Sequence, residues 1–200
     1  MKRIATLLML AFGLSAPAVA ATYAVGTCLP KLPSFSTISD AVAGVPAGST
    51  IDVCPGTYNE TVTILQPLTL QGITSADSDL VVISGGSLLD FTGAVTVISA
   101  APVNLSNIQV QPAGVGSPFG IVYTGSSGTL NHVSSVGVGF GADINVVVND
   151  GSSQTVAVKD SSLGGNPFDG ILAVVGPGTL AVTVEGNSIV GATNGVTLAP

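Results

Sequence analysis

From residue 50 onward the apolar side chains arrive in short runs of Val, Ile and Leu, set apart by Gly, Asn, Asp and Ser. Runs of that length, rich in β-branched residues and bounded by turn formers, predict short strands rather than helices. The segments Thr50 to Cys54, Glu60 to Leu65, Leu68 to Leu70 and Leu80 to Ser84 fit this pattern, with a turn at Pro55-Gly56. Ahead of them the period changes. Ile38, Ala41, Val42 and Val45 fall at i, i+3, i+4 and i+7, one stripe of a helix. Ser36 is placed to cap its N-terminus, Asp40 suits its first turn, and Gly44 with Pro46 ends it. Residues 22–33 read as irregular because Pro30 and Pro33 interrupt any ladder, and no second helix is expected.

Two landmarks then recur in phase. Leu105-Ser106-Asn107-Ile108, Leu130-Asn131-His132-Val133, Val158-Lys159-Asp160-Ser161 and Val184-Glu185-Gly186-Asn187 open similar segments at spacings of 25, 28 and 26 residues. Gly120-Ile121-Val122, Asp143-Ile144-Asn145, Gly170-Ile171-Leu172 and Gly195-Val196-Thr197 run alongside, their Ile or Val at spacings of 23, 27 and 25. Such a period, filled by several short strands, is that of a parallel β-helix coil, whose equivalent residues stack about 4.8 Å apart. Inward columns are then aliphatic, and turn columns carry Asn, Ser or Asp. A leucine-rich repeat has a similar period but needs fixed leucines and an Asn-x-Leu, a frame these repeats lack. A β-sandwich also has regularly spaced short strands, yet it gives no reason for two landmarks in phase. The expected fold is all-β: a right-handed single-stranded parallel β-helix with a short N-terminal capping helix.

Composition agrees, since 46% hydrophobic with only 4% aromatic residues suits a narrow aliphatic core. Four Lys plus Arg against 11 Asp plus Glu exclude a nucleic-acid binder, which needs cations to release phosphate counterions. Met1-Lys2-Arg3, the apolar stretch Ile4 to Leu14 and Ala18-Val19-Ala20 have the layout of a secretory signal peptide cut after Ala20. No other window is long and apolar enough to span a bilayer. Three regions follow: a leader at 1–20, an irregular segment with the capping helix at 21–49, and coils from 50 to 200. Without the leader the chain keeps Lys31 and Lys159, no arginine and all 11 acids, a net charge of −9. Cys28 and Cys54 form an even pair suited to an oxidising destination, so a disulfide is expected; closing that loop contributes about 3 kcal/mol. Their spacing matches no metal or redox motif, and His132 is remote. The expected address is secreted, periplasmic or cell-surface, in a bacterium.

The region before and within the first coils carries a resemblance. Phe35-Ser36-Thr37-Ile38-Ser39-Asp40-Ala41-Val42, Pro46-Ala47-Gly48-Ser49-Thr50-Ile51, Pro55-Gly56-Thr57-Tyr58-Asn59-Glu60 and Leu68-Thr69-Leu70-Gln71-Gly72 resemble the opening of pectin-lyase-like right-handed β-helix proteins. These include NosD-type and pectin methylesterase-type β-helices. The resemblance implies that the helix plugs the N-terminal end of the stack and that Gly-x-Tyr-x-Glu starts the first coil as a structural segment. It covers residues 35–72; beyond, only the repeat character continues. Lyases of this fold use Arg or Lys as base, often with Ca²⁺, and the methylesterases use two Asp with Arg and Gln. Without arginine, only Lys159 is left as a lyase base.

Glycoside hydrolases of the fold work with carboxylates alone, and the candidates for that chemistry are Asp143, Asp160 and Asp169. Asp is equally a standard turn residue, and the three are weighed as turn aspartates too. Asp169 and Asn194 fall at the same repeat position, two residues before an inward Ile or Val, whereas Asp143 sits one before its own. Asp77 and Asp79 share a loop and are the candidates for Ca²⁺, although such an ion wants six to eight oxygens. No other cofactor is expected. Lys159 and Glu185 occupy equivalent repeat positions suited to a cross-coil ion pair, and His132 reads as a strand-face histidine without a partner. The final Gly195-Val196-Thr197-Leu198-Ala199-Pro200 carries no helix or polar cap, so an open edge able to self-associate, or a chain continuing past Pro200, is expected. The leading functional expectation is a non-enzymatic exported protein binding carbohydrate through a strand face rich in Ser, Thr and Asn. The alternatives are a polysaccharide hydrolase or lyase, and a self-associating adhesive repeat.

Overall fold

The computed structural model describes residues 19–76, 79–87, 92–112, 118–139, 141–165 and 168–200. The leader expected at 1–20 therefore lies almost wholly outside the described residues. Two strands, β1 (Thr22–Val25) and β2 (Ser34–Phe35), and one helix, α1 (Ile38–Gly44), precede the repeats. Six turns of three strands follow. The first holds β3 (Thr50–Val53), β4 (Gly56–Tyr58) and β5 (Val62–Ile64), and the second β6 (Leu68–Gly72), β7 (Val81–Gly85) and β8 (Gly93–Ile98). The third is β9 (Val103–Ser106), β10 (Gln109–Pro112) and β11 (Phe119–Thr124), and the fourth β12 (Gly128–Asn131), β13 (Ser134–Val136) and β14 (Ala142–Val148). The fifth is β15 (Ser153–Lys159), β16 (Ser162–Gly164) and β17 (Asp169–Val175), and the sixth β18 (Thr179–Glu185), β19 (Ser188–Val190) and β20 (Asn194–Ala199). Each turn contributes one strand to each of three stacked parallel sheets, so the chain is a parallel β-solenoid.

The register reproduces both sequence landmarks. Leu70, Leu105, Leu130, Val158 and Val184 stand in one column of the first sheet, and Ile121, Ile144, Ile171 and Val196 in one column of the third. Through Val158 and Ile171 these columns are buried and build one continuous aliphatic core, whereas Val184 and Val196 of the sixth turn are exposed. Stacking is close: a Cβ on Gly128 would come within 1.7 Å of the Val103 carbonyl oxygen, so that position admits only glycine. Tyr123 is the exception to the aliphatic rule. It is fully buried, and its hydroxyl donates to the Val103 carbonyl at 2.9 Å.

At the N-terminal end α1 lays Ile38, Ala41 and Val42 onto the core. Its N-cap is Thr37 rather than Ser36: the Thr37 hydroxyl accepts from the Asp40 amide at 3.1 Å, and extended backbone at Thr37 starts the helix one residue later. The Glu60 carboxylate accepts from the Ile38 and Ser39 amides at 2.9 and 2.8 Å, and Gln66 Nε2 donates to the Val42 and Val45 carbonyls at the other end. Glu60 and Tyr58, whose hydroxyl donates to the Cys54 carbonyl, thus serve the structure, but Gly56–Tyr58 is the second strand of the first turn rather than its start, because Thr50–Val53 already pairs in the first sheet. Residues 22–33 are less irregular than expected. Thr22–Val25 pairs in parallel with both β2 and β3, because Ala24 and Val25 are fully buried and the two prolines fall after the strand. Gly56, read as part of a turn, instead begins β4.

Candidate functional site

The register separates the three candidate aspartates. Asp160 lies at the corner between β15 and β16, with φ of 47°, and its amide donates to the Glu185 carbonyl. It is a turn residue. Asp143 and Asp169 stand instead at the starts of β14 and β17, neighbouring strands of the third sheet, where Asp169 pairs with Ala142. The fold therefore brings these two onto adjacent turns and leaves Asp160 apart. Asp169 Oδ1 accepts from Thr197 Oγ1 at 2.5 Å and from Asn194 Nδ2 at 3.1 Å, and Asn194 is its register partner, as the repeat alignment requires.

Asp143 is not a turn residue. It lies within a strand, fully buried, at a level where neighbouring turns place Gly120 and Gly170. Its Oδ1 accepts from Ser135 Oγ at 2.7 Å. Ser135 is itself an exception, since the other residues of its column include Ile83, Val110, Leu163 and Ile189. Room for the pair comes from Gly120, where a Cβ would sit 2.6 Å from Ser135 Oγ. Asp143 Oδ2 and, two residues on, Asn145 Oδ1 are buried without a hydrogen-bond partner among the described residues. Burial pushes the Asp143 carboxyl up to about 6, against the opposing hydrogen bond from Ser135. A proton on Oδ2 turns one of the two orphan acceptors into a donor. Sequence reading named Asp143 but missed Ser135 and Asn145; for Ser135 the available signal was a polar residue in a column of Ile, Val and Leu, and Asn145, in a mixed column, gave none.

The remaining candidates resolve as follows. Cys28 and Cys54 form a disulfide with Cα atoms 5.7 Å apart. Asp77 lies outside the described residues. Asp79 Oδ2 accepts from the Ser75 and Ala76 amides at 2.9 Å each, which ties its own loop together. Among the described residues no three His, Cys, Asp or Glu side chains gather as a metal would require. Lys159 and Glu185 form the expected ion pair at 3.2 Å, an exposed contact of small energetic weight. His132 is not on a strand face. It is exposed at the corner between β12 and β13 with φ of 51°, because that corner position is left-handed in successive turns.

The outer faces differ from sheet to sheet. On the third sheet the outward column Thr96, Val122 and Asn145 is buried. On the first sheet two outward columns are half-exposed: Thr50, Thr69, Asn104 and Thr129, and beside it Asp52, Gln71, Ser106 and Asn131. Gln71 Nε2 donates to Asp52 Oδ1 at 2.7 Å, a bond across turns. This face is flat, uncharged apart from Asp52 over four turns, and spaced at the strand repeat of about 4.8 Å. No helix among the described residues is long and apolar enough to cross a membrane. No protein-family model matches the chain, and no curated protein or solved structure matches it either.

Proposed function

We propose that this solenoid is an exported binding protein whose outer first-sheet face holds an extended, uncharged polysaccharide. The observation that carries the reading is the pair of outward columns, which offer Thr, Asn, Gln and Ser groups in register over four turns. Hydroxyl and amide groups both donate and accept, which matches sugar hydroxyls, and a repeat near 4.8 Å is close to the length of one sugar in an extended chain. The acidic balance of the chain disfavours polyuronates. The disulfide supports export to an oxidising compartment, and the resemblance of residues 35–72 to pectin-lyase-like proteins is consistent with the stacked turns. The test is retention on insoluble neutral polysaccharides. The triple variant Thr69→Ala, Asn104→Ala, Thr129→Ala is expected to weaken retention tenfold or more, at about 0.5–1.5 kcal/mol per hydrogen bond lost. Equal retention of variant and wild type would remove this face from the reading.

A second reading, hydrolysis, is favoured by the placement of Asp143 and Asp169 on adjacent turns. A protonated Asp143 would act as acid and Asp169 as the second carboxylate. Full burial of Asp143 argues against contact with a polymer. Release of new reducing ends, abolished by Asp143→Asn, would establish this reading; absence of product from every neutral polysaccharide retained would exclude it.

A further inference from the structure

The corner between the first and second sheets is short in the last four turns. Two residues suffice, the first with positive φ: Asn107, His132, Asp160 and Gly186. In the second turn the same corner is an excursion, of which residues 73–76 and 79–80 are described, fastened by Asp79. This excursion stands against the corners of the third and fourth turns and leaves a cavity of about 160 Å³. A second cavity opens beside it, sharing Thr74, Asp79 and Leu80.

Three turns contribute polar groups to the first cavity: Thr74 and Asp79, then Asn107 and Gln109, then His132 and Ser134. The side chains of Thr74, Asn107, Gln109, His132 and Ser134 make no hydrogen bond to another described residue. At the corners of the fifth and sixth turns the second position, apolar Ile108 and Val133 in the turns before, carries Ser161 and Asn187, which bond within the corner. Ser161 Oγ accepts from the Val133 amide, and Asn187 bonds both the Ser161 amide and the Val158 carbonyl. Leu80 adds an exposed apolar side chain to the cavity, over the buried core residues Val81 and Ile108. Uncommitted donors and acceptors around an apolar side chain, in a space of this size, suit one neutral polyhydroxylated ring. Asn107 and His132 also follow directly on Ser106 and Asn131 of the outward polar column.

We propose that this corner cavity is a subsite for a single neutral pyranose residue, continuous with the first-sheet face; as the anchoring point of the polymer it rests on the binding reading above. Asn107 and Ser106 would then share one sugar chain with His132 and Asn131. Gln109 and Ser134 bond the ring hydroxyls, and the Leu80 side chain takes its C–H face.

His132 is the only histidine in the sequence, so its imidazole carbon-bound protons give a single pair of NMR signals in untagged protein. Titrating glucose, mannose, galactose and xylose is expected to move these signals saturably for at least one sugar. Gln109→Ala is expected to weaken that sugar about tenfold. The variant His132→Asn keeps a residue that tolerates this corner, as Asn107 does one turn earlier, and is expected to weaken polysaccharide retention while preserving the thermal midpoint. Histidine signals unmoved by all four sugars overturn the proposal, whatever the polymer does. Signals that move in a protein retained by no polysaccharide uphold the subsite and overturn the extended face instead.

Discussion

Asp143 ties stability to pH in the direction opposite to that of a salt-bridged carboxylate. Its ordinary value of 3.8 rises to about 6 in the folded chain because burial disfavours the charge. Below the unfolded value the acid is neutral in both states and its contribution is complete; that contribution is lost as pH rises through the folded value. Over this window the loss is about 3 kcal/mol. Asparagine keeps the shape and stays neutral, so Asp143→Asn is expected to match wild type near pH 4 and exceed it by about 1–3 kcal/mol near pH 8 in chemical denaturation. A wild-type-to-variant difference that does not change between those conditions would show that the carboxyl ionises freely in the fold. Little of this was legible in the sequence. The repeats place Asp143 one residue before an inward Ile144, but its burial depends on Ser135 and Gly120, which belong to different strands, one of them in the preceding turn.

Among the elements, α1 owes its place to side chains that are not its own. A helix of seven residues is marginal by itself, and Glu60 and Gln66 satisfy amides at one end and carbonyls at the other. Glu60→Ala is expected to lower stability by about 1–2 kcal/mol, read as an earlier denaturation midpoint with the sheet spectrum retained. Replacing both Cys28 and Cys54 by alanine is expected to cost about 2–4 kcal/mol by the same measurement, since the bridge closes a 26-residue separation. The helix was readable because its apolar stripe is local. The early turns were not readable as repeats. Ile51 to Leu70 spans 19 positions and Leu70 to Leu105 spans 35, so the period emerges only where such unequal intervals cease. The strand Thr22–Val25 escaped notice because its pairing partners are distant in sequence, one of them beyond the helix.

At the level of the whole molecule, the columns seen in sequence from residue 105 onward are the columns of the structure, because stacking forces chemically similar residues to recur at inward positions. Polar function leaves no such trace, since outward and corner positions accept Thr, Asn, Gln, Ser or His alike. The stack also makes the chain divisible. Val103 and Gly128 hold the same place in successive turns, so deleting residues 104–128 rejoins the backbone in register. That deletion is expected to yield a folded protein with a single cooperative thermal transition, whereas removal of half as many residues from the same region is expected to abolish it. Length here comes only in whole increments of about 4.8 Å. A lineage that gains or loses one turn lengthens or shortens the outer face by one such increment at a time, and the solenoid is a ruler whose graduations are fixed by the backbone while the marks on each graduation are free to vary.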